Sequence, residues 1–254
     1  MRFLWLSANF FGYRLLQEAI TVPAIQVQGI LTLKRNARTR MYDGIEPGKW
    51  HEFGLPVHEI DEIHQEVSLV ERYTPDFLVV CGWRQILPRQ ILQIPRRGVI
   101  GFHPTLLPRG RGPAPIINSI LEGISSSGVS LFYVSDQLDA GDIIGQEPFT
   151  IETSDEAGDV YAKVIDAGCR LVRRYFPLLA DDCAPRFPQD FREATYFPRR
   201  TLDDNEIHLE RDGPEMAMRK IRAFARPYLG AFIRTGGKRL VIWKGEIRDD
   251  HEPA

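Results

Sequence analysis

Apolar runs of strand length alternate with segments of helical spacing along most of the chain. Residues 3–6 read as a short strand, and residues 12–20 carry the 3.6-residue period of a helix. Residues 25–33 alternate and hold several β-branched side chains, which suits a second strand. Residues 60–73 are rich in glutamate and spaced like an amphipathic helix that ends before Pro75. Residues 77–80, 99–102 and 129–134 are continuous apolar runs, as expected for strands covered on both faces. Between them, residues 115–122 predict a helix closed by Gly123. Residues 155–179 predict a long helix with Ser154 or Asp155 as its N-cap.

This strand–helix–strand order predicts an α/β fold, an open and mostly parallel sheet with helices on both faces. The composition changes between residues 181 and 204, where Pro185, Pro188 and Pro198 stand among charges with little periodicity. That stretch reads as a linker or wrapping loop. Residues 215–224 follow as a short helix, and residues 231–247 carry strand–turn–strand signals around Gly236 and Gly237. The expected organisation is a catalytic domain over residues 1 to about 190 and a small α+β appendage over about 200–254. Internal repeats and low-complexity segments are absent from the sequence.

The chain has 254 residues, 43% hydrophobic and 26% charged, close to an ordinary globular protein. Its 32 basic and 34 acidic residues leave a net charge of −2, which argues for neither nucleic acid nor membrane as a partner. Small molecules are then the default substrate class. The opening MRFLWLSANFFGYRLL has one early arginine and breaks at Ser7–Asn9, so it reads as a first strand rather than a leader. No segment approaches the ~18 apolar residues of a membrane span. The three cysteines, Cys81, Cys169 and Cys183, fit no disulfide framework or zinc motif, which points to reduced thiols and a cytoplasmic location. Cys81 falls in an apolar run and is expected in the core.

The turn after the first strand argues against one chemistry. A dinucleotide fold would place a glycine-rich turn there to cradle a pyrophosphate. Ser7-Ala8-Asn9-Phe10-Phe11-Gly12 has a single glycine, so a nicotinamide or flavin cofactor is not expected. The informative stretch is GVIGFHPTLLPRGRGPAP, residues 98–115, in which an apolar strand runs into His103 and then into a loop dense in glycine and proline. Ligands of open parallel sheets sit outside the carboxyl ends of the strands, where this order places His103. DQLDAGDI, residues 136–143, follows another strand and supplies a carboxylate, Asp139 or alternatively Asp142. A carboxylate beside an imidazole fixes its tautomer and raises its basicity, as general acid–base work requires. His58 and His64 bracket HEIDEIH, whose spacing fits no metal site, and they read as surface residues. No metal is expected.

FHPTLLPRGRGPAP, followed by GVSLFYV and LDAGDIIGQE, resembles the folate-dependent formyltransferase family, which includes glycinamide ribonucleotide transformylase, methionyl-tRNA formyltransferase and nucleotide-sugar N-formyltransferases. The resemblance covers residues 75–155 and resumes at FPRRT, residues 197–201, and at IRAFARPYLGAF, residues 221–232. It implies formyl transfer from 10-formyltetrahydrofolate to a primary amine through a tetrahedral intermediate. His103 would then stabilise the oxyanion and share in proton transfer, with Asp139 orienting it. Trp83, Arg84, Gln85, Ile86 and Leu87, with Asp136 and Asp139, would hold the folate, largely through backbone groups. Trp83 also has a packing reading. Asn9, Thr105, Arg109 and Arg111 would meet the substrate, the two arginines as phosphate ligands or as solvated loop residues.

One position departs from the family. Its usual pattern has asparagine two residues before the histidine, and this chain has Gly101. Loss of such a donor can cost about 10²–10³-fold in rate. Thr105, Asn118, Gln85 or a water could replace the amide, or the space could receive a larger substrate or acyl group. The favoured acceptor is a nucleotide-linked amino sugar, because the short appendage, the neutral charge and the opening FLWLSANFFGYRLL resemble the sugar branch. The alternatives are a methionyl-tRNA formyltransferase, which needs a larger basic C-terminal domain, and a homologue that kept the fold without the activity. The C-terminal hairpin would suit an isologous contact in a homodimer.

Overall fold

The structure is a computed structural model describing residues 1–39 and 41–249. In chain order its sheet strands are β1 (Arg2–Ser7), β2 (Gln26–Leu33), β3 (Val57–Ile60), β4 (Phe77–Cys81), β5 (Gly98–His103), β6 (Ser126–Tyr133) and β7 (Ile143–Thr150). They form one sheet in the order β3-β2-β1-β4-β5-β6-β7. Strands β3 to β5 along that order are parallel, and β6 and β7 pair antiparallel. β1 is flanked by β2 on one side and β4 on the other, so the strand order reverses there. That reversal opens a crevice at the carboxyl ends of β1 and β4.

The helices are α1 (Phe10–Ala19), α2 (Val67–Tyr73), α3 (Arg89–Gln93), α4 (Pro115–Leu121), α5 (Ala157–Ala180) and α6 (Pro214–Ala223). The apolar strand runs follow from their burial on both faces. Along β1, Phe3 and Trp5 join Leu15 and Leu16 of α1 and Val172 and Phe176 of α5. Leu4 and Leu6 point to the other face and join Val70 of α2 and Ile91 of α3. Each such side chain contributes about 1.5–3 kcal/mol on burial. Among the described residues no helix is long and apolar enough to cross a membrane.

Two local expectations are corrected, and one strand is added. The stretch 60–73 is not one helix: β3 ends at Ile60, a 3₁₀ turn covers Ile63–Gln65, and only Val67–Tyr73 is α-helical. The long helix is capped by Glu156 in a reciprocal box with Asp159, not by Ser154 or Asp155. Asp155 is occupied elsewhere, accepting from the backbone N–H of Glu152 and from Lys163. β7 was not foreseen, because Gly145 and Pro148 break its apolar pattern.

After α5 the chain bridges through Phe187 to Ile143 at the start of β7 and through Tyr196 to Arg111 in the loop after His103, and then forms α6 and the hairpin β8 (Ala231–Thr235) and β9 (Lys238–Ile242). Ile207, Ile221 and Ala231 make a small cluster of their own, while Ala223 and Phe224 enter the main core.

Candidate active site

β5 delivers His103 to the end of the sheet and stops there because Pro104 has no N–H for another ladder bond. The imidazole is 7% exposed. Its Nε2 lies 2.8 Å from the carbonyl oxygen of Gly110. A carbonyl only accepts, so Nε2 carries a proton, and whenever the ring is neutral Nδ1 is the lone pair. Nδ1 faces Asp139 Oδ2 at 3.7 Å. That is too long for a direct hydrogen bond, and one polar atom of a substrate or a water can touch both groups. Gly110, not Asp139, therefore fixes the tautomer.

Asp139 arrives by a different route from the one its sequence suggests. β6 is antiparallel, with Tyr133 opposite Ile100, so the β6–β7 loop starts short of His103 and curls back to it. Asp139 takes a left-handed backbone conformation, φ +49°, and its Oδ2 accepts from the backbone N–H of Gly112 at 2.8 Å. Asp142, the alternative partner, is turned away and bound by Arg186 at 2.7 Å.

Two polar residues that sequence reasoning missed brace the histidine loop. Ser130, fully buried on β6, accepts from the N–H of Leu107 and donates to the carbonyl of Thr105. Gln189 binds Arg111 and the carbonyls of Asp139 and Gly141. A buried serine in an apolar strand and a glutamine in a proline-rich stretch carry no sequence signal of such a role.

The other expected site residues divide. Asn9 caps α1, accepting from the N–H of Gly12 and donating to Asp43, so its amide is occupied within the protein. Gly82 is required beside it: φ is +57°, and a Cβ there would come within 2.0 Å of the Asn9 amide nitrogen. Thr105 is buried with its hydroxyl towards the Gly110 carbonyl. Arg109 is exposed and pairs with Glu193 at 2.6 Å. Arg111 is fully buried and donates to Gln189 and Tyr196, so neither a solvated nor an outward phosphate-facing guanidinium is seen. Asp136 is exposed on the β6–β7 loop.

The space beside Gly101 is not open. A Cβ there would stand 2.9 Å from Val134 Cγ2 and 3.3 Å from Cε1 of Phe132, the residue opposite Gly101 on β6. The named replacements for an amide are occupied as well. Gln85 binds Ile63, Thr39 and Asp61, and Asn118 binds Pro113, Ala114, Pro198 and Arg200.

The segment after β4 has features suited to a folate. Trp83, Leu87 and Val134, the last of these just before the Asp136–Asp139 loop, all pack against one buried apolar cluster that includes Leu6, Leu78 and Val99. The indole N–H of Trp83 is buried without a partner among the described residues. The backbone groups of Ile86 and Leu87 make no hydrogen bond among those residues. Open backbone donors and acceptors over an apolar floor fit a flat heterocycle with polar edges. Arg84 lies over the ring of Tyr42 at 5.4 Å. No cluster of metal-ligating side chains occurs among the described residues.

The formyl transferase sequence family matches residues 56–175. A methionyl-tRNA formyltransferase from Halalkalibacterium halodurans is 31% identical over 92% of this chain and 73% of its own length. Another, from Natranaerobius thermophilus, is 32% identical over 79% of this chain, and the matched part spans 64% of that relative. A sugar N-formyltransferase from a Shewanella species shares the fold with a TM-score of 0.76 and 19% identity, covering 98% of this chain and 99% of that one.

Proposed function

The chain belongs to the formyl transferase family, and from that premise we propose that it moves a formyl group from 10-formyltetrahydrofolate to the primary amine of a nucleotide-linked amino sugar. The observation that carries the reading is the His103–Asp139 pair at the end of β5, with Nδ1 and Oδ2 at 3.7 Å. The folate supplies the formyl carbonyl and leaves as tetrahydrofolate.

The residues divide the remaining work. His103 Nδ1, unprotonated in the neutral ring, accepts a proton from the attacking amine, while Nε2 stays bonded to Gly110. The imidazolium so formed is stabilised by Asp139, whose carboxylate is held by Gly112. Once protonated, Nδ1 can return the proton to the leaving nitrogen. Trp83, Ile86 and Leu87 hold the folate, and Arg84, Gln85 and Asp136 shape its surroundings. Thr105 and Arg109 line the approach of the acceptor. Asn9 and Arg111 act by holding the site's loops.

A sugar acceptor is preferred to tRNA on charge. The chain's net charge is −2, and the C-terminal cations Lys220, Arg234, Arg200, Arg211 and Arg248 are paired with Asp212, with Asp203 and Glu206, with Asp204, with Asp212 and with Glu246. Paired cations are poor phosphate-backbone ligands. The tRNA reading is favoured by the names of the sequence relatives. Incubation with 10-formyltetrahydrofolate and either amino sugar nucleotides or methionyl-tRNA separates the two, through the acceptor that triggers tetrahydrofolate release.

A further inference from the structure

We propose that Gln189 is a positioning residue that sets the geometry of the His103–Asp139 pair, an inference whose kinetic arm rests on the formyl-transfer reading. Gln189 lies in the segment that crosses the site after α5 and is 6% exposed, whereas Phe187, Phe191 and Tyr196 around it are exposed. Its Oε1 accepts from Arg111 Nε at 3.2 Å and Nη2 at 2.7 Å. Its Nε2 donates to the carbonyls of Asp139 at 3.0 Å and Gly141 at 2.7 Å. A primary amide has two donor protons and two acceptor lone pairs, so its capacity is used in full.

The two halves of this amide reach two loops. Arg111 belongs to the loop that descends from His103 and contains Gly110, the acceptor for Nε2. Asp139 and Gly141 belong to the loop between β6 and β7. Gln189 thus ties the histidine's loop to the aspartate's loop from a third segment of the chain. Its contact with the Asp139 carbonyl also fixes the peptide of a residue at φ +49°, a conformation that L-residues hold where their surroundings impose it. Rotation of that peptide would swing the carboxylate away from Nδ1.

The choice of amide over carboxylate identifies the half that matters. Arg111 is fully buried, lies 4.8 Å from the ring of Phe191 and 5.7 Å from that of Tyr196, and forms no ion pair among the described residues. A glutamate at 189 would satisfy this guanidinium better than a neutral amide does. It would also face two carbonyls with no proton to offer and set a second carboxylate near Asp139. Glutamine gives up the stronger contact with Arg111 and keeps both donors.

Gln189→Glu separates the two contributions, because it retains the acceptor for Arg111 and deletes the donors. The expected result is an unfolding temperature close to wild type and a kcat lower by roughly 10²-fold. KM for 10-formyltetrahydrofolate should be unchanged, and the crystal structure should show the Asp139 carboxylate moved off His103 Nδ1. Gln189→Met, which removes both halves at similar volume, should lose both stability and kcat. The proposal is overturned if Gln189→Glu keeps the wild-type kcat, if its Asp139 stays in place, or if kcat falls only in step with unfolding temperature across both variants. If the wild-type protein releases no tetrahydrofolate with any acceptor, the formyl-transfer reading fails. The position of Asp139 in the Gln189→Glu crystal, or in Gln189→Met should the first not fold, then decides the clamp by itself.

Discussion

His103 donates from Nε2 to the carbonyl of Gly110 at 2.8 Å, and its other ring nitrogen, Nδ1, stands 3.7 Å from Oδ2 of Asp139. A carboxylate at this distance stabilises an imidazolium when the ring takes up a proton. Asp139→Asn keeps the size of the side chain and removes the charge that stabilises the imidazolium. Its kcat is expected to fall roughly 10²–10⁴-fold, as when a positioned acid–base group is lost, with little change in unfolding temperature. Tetrahydrofolate release under saturating substrates checks this, and a rate within a factor of about two of wild type would count against the pair.

Gly101→Asn restores the family's usual residue but in a place that is already filled. The new Cβ would stand 2.9 Å from Val134 Cγ2. Overpacking of this kind costs about 1–3 kcal/mol, and Val134→Ala should recover most of it. Denaturant unfolding of the single and double variants measures the coupling. Wild-type stability in Gly101→Asn alone would mean that the site yields freely and that the glycine is not held by its neighbours.

Binding of tRNA should be weak. A filter-binding titration at physiological salt is expected to show no sub-micromolar affinity, because the chain carries a net charge of −2 and several C-terminal cations are engaged by carboxylates. Tight binding that weakens steeply with salt would move the reading to the tRNA acceptor.

The Lys220–Asp212 pair makes stability depend on pH. Burial alone would raise the Asp212 pKa, but bonds from Lys220 at 2.5 Å and from the His208 N–H outweigh it and hold the carboxyl below its usual range. A lowered native value gives stability that is full above the unfolded pKa of about 3.9 and is lost as pH falls through the native value. Asp212→Asn should therefore destabilise by about 3 kcal/mol near neutral pH, and by progressively less in acid as the wild-type group protonates. A difference that is constant with pH would contradict the assignment.

The sheet was legible because burial on both faces writes unbroken apolar runs at residues 77–80 and 99–102. The stretch 60–73 misled because HEIDEIH mixes helical and strand spacing where a half-exposed edge strand gives way to a 3₁₀ turn. His103 was readable as a histidine at a strand end, and Asp139 from its motif, whereas the antiparallel turn that joins them was not. Nor was the fate of Arg111. A guanidinium in a glycine-rich loop suggests phosphate, and only the path of residues 187–197 reveals that Gln189, Phe191 and Tyr196 enclose it. The apolar filling beside Gly101 likewise depends on which β6 residue lies opposite.

The central claim is that His103 and Asp139 drive formyl transfer from 10-formyltetrahydrofolate to a sugar amine. The most direct test follows tetrahydrofolate release from 10-formyltetrahydrofolate across a panel of nucleotide-linked amino sugars, for wild type and for folded His103→Ala. The account predicts release that requires one of these amines, yields its N-formyl product, and drops to background in the variant. No release with any amino sugar nucleotide, or an equal rate in the variant, would contradict it.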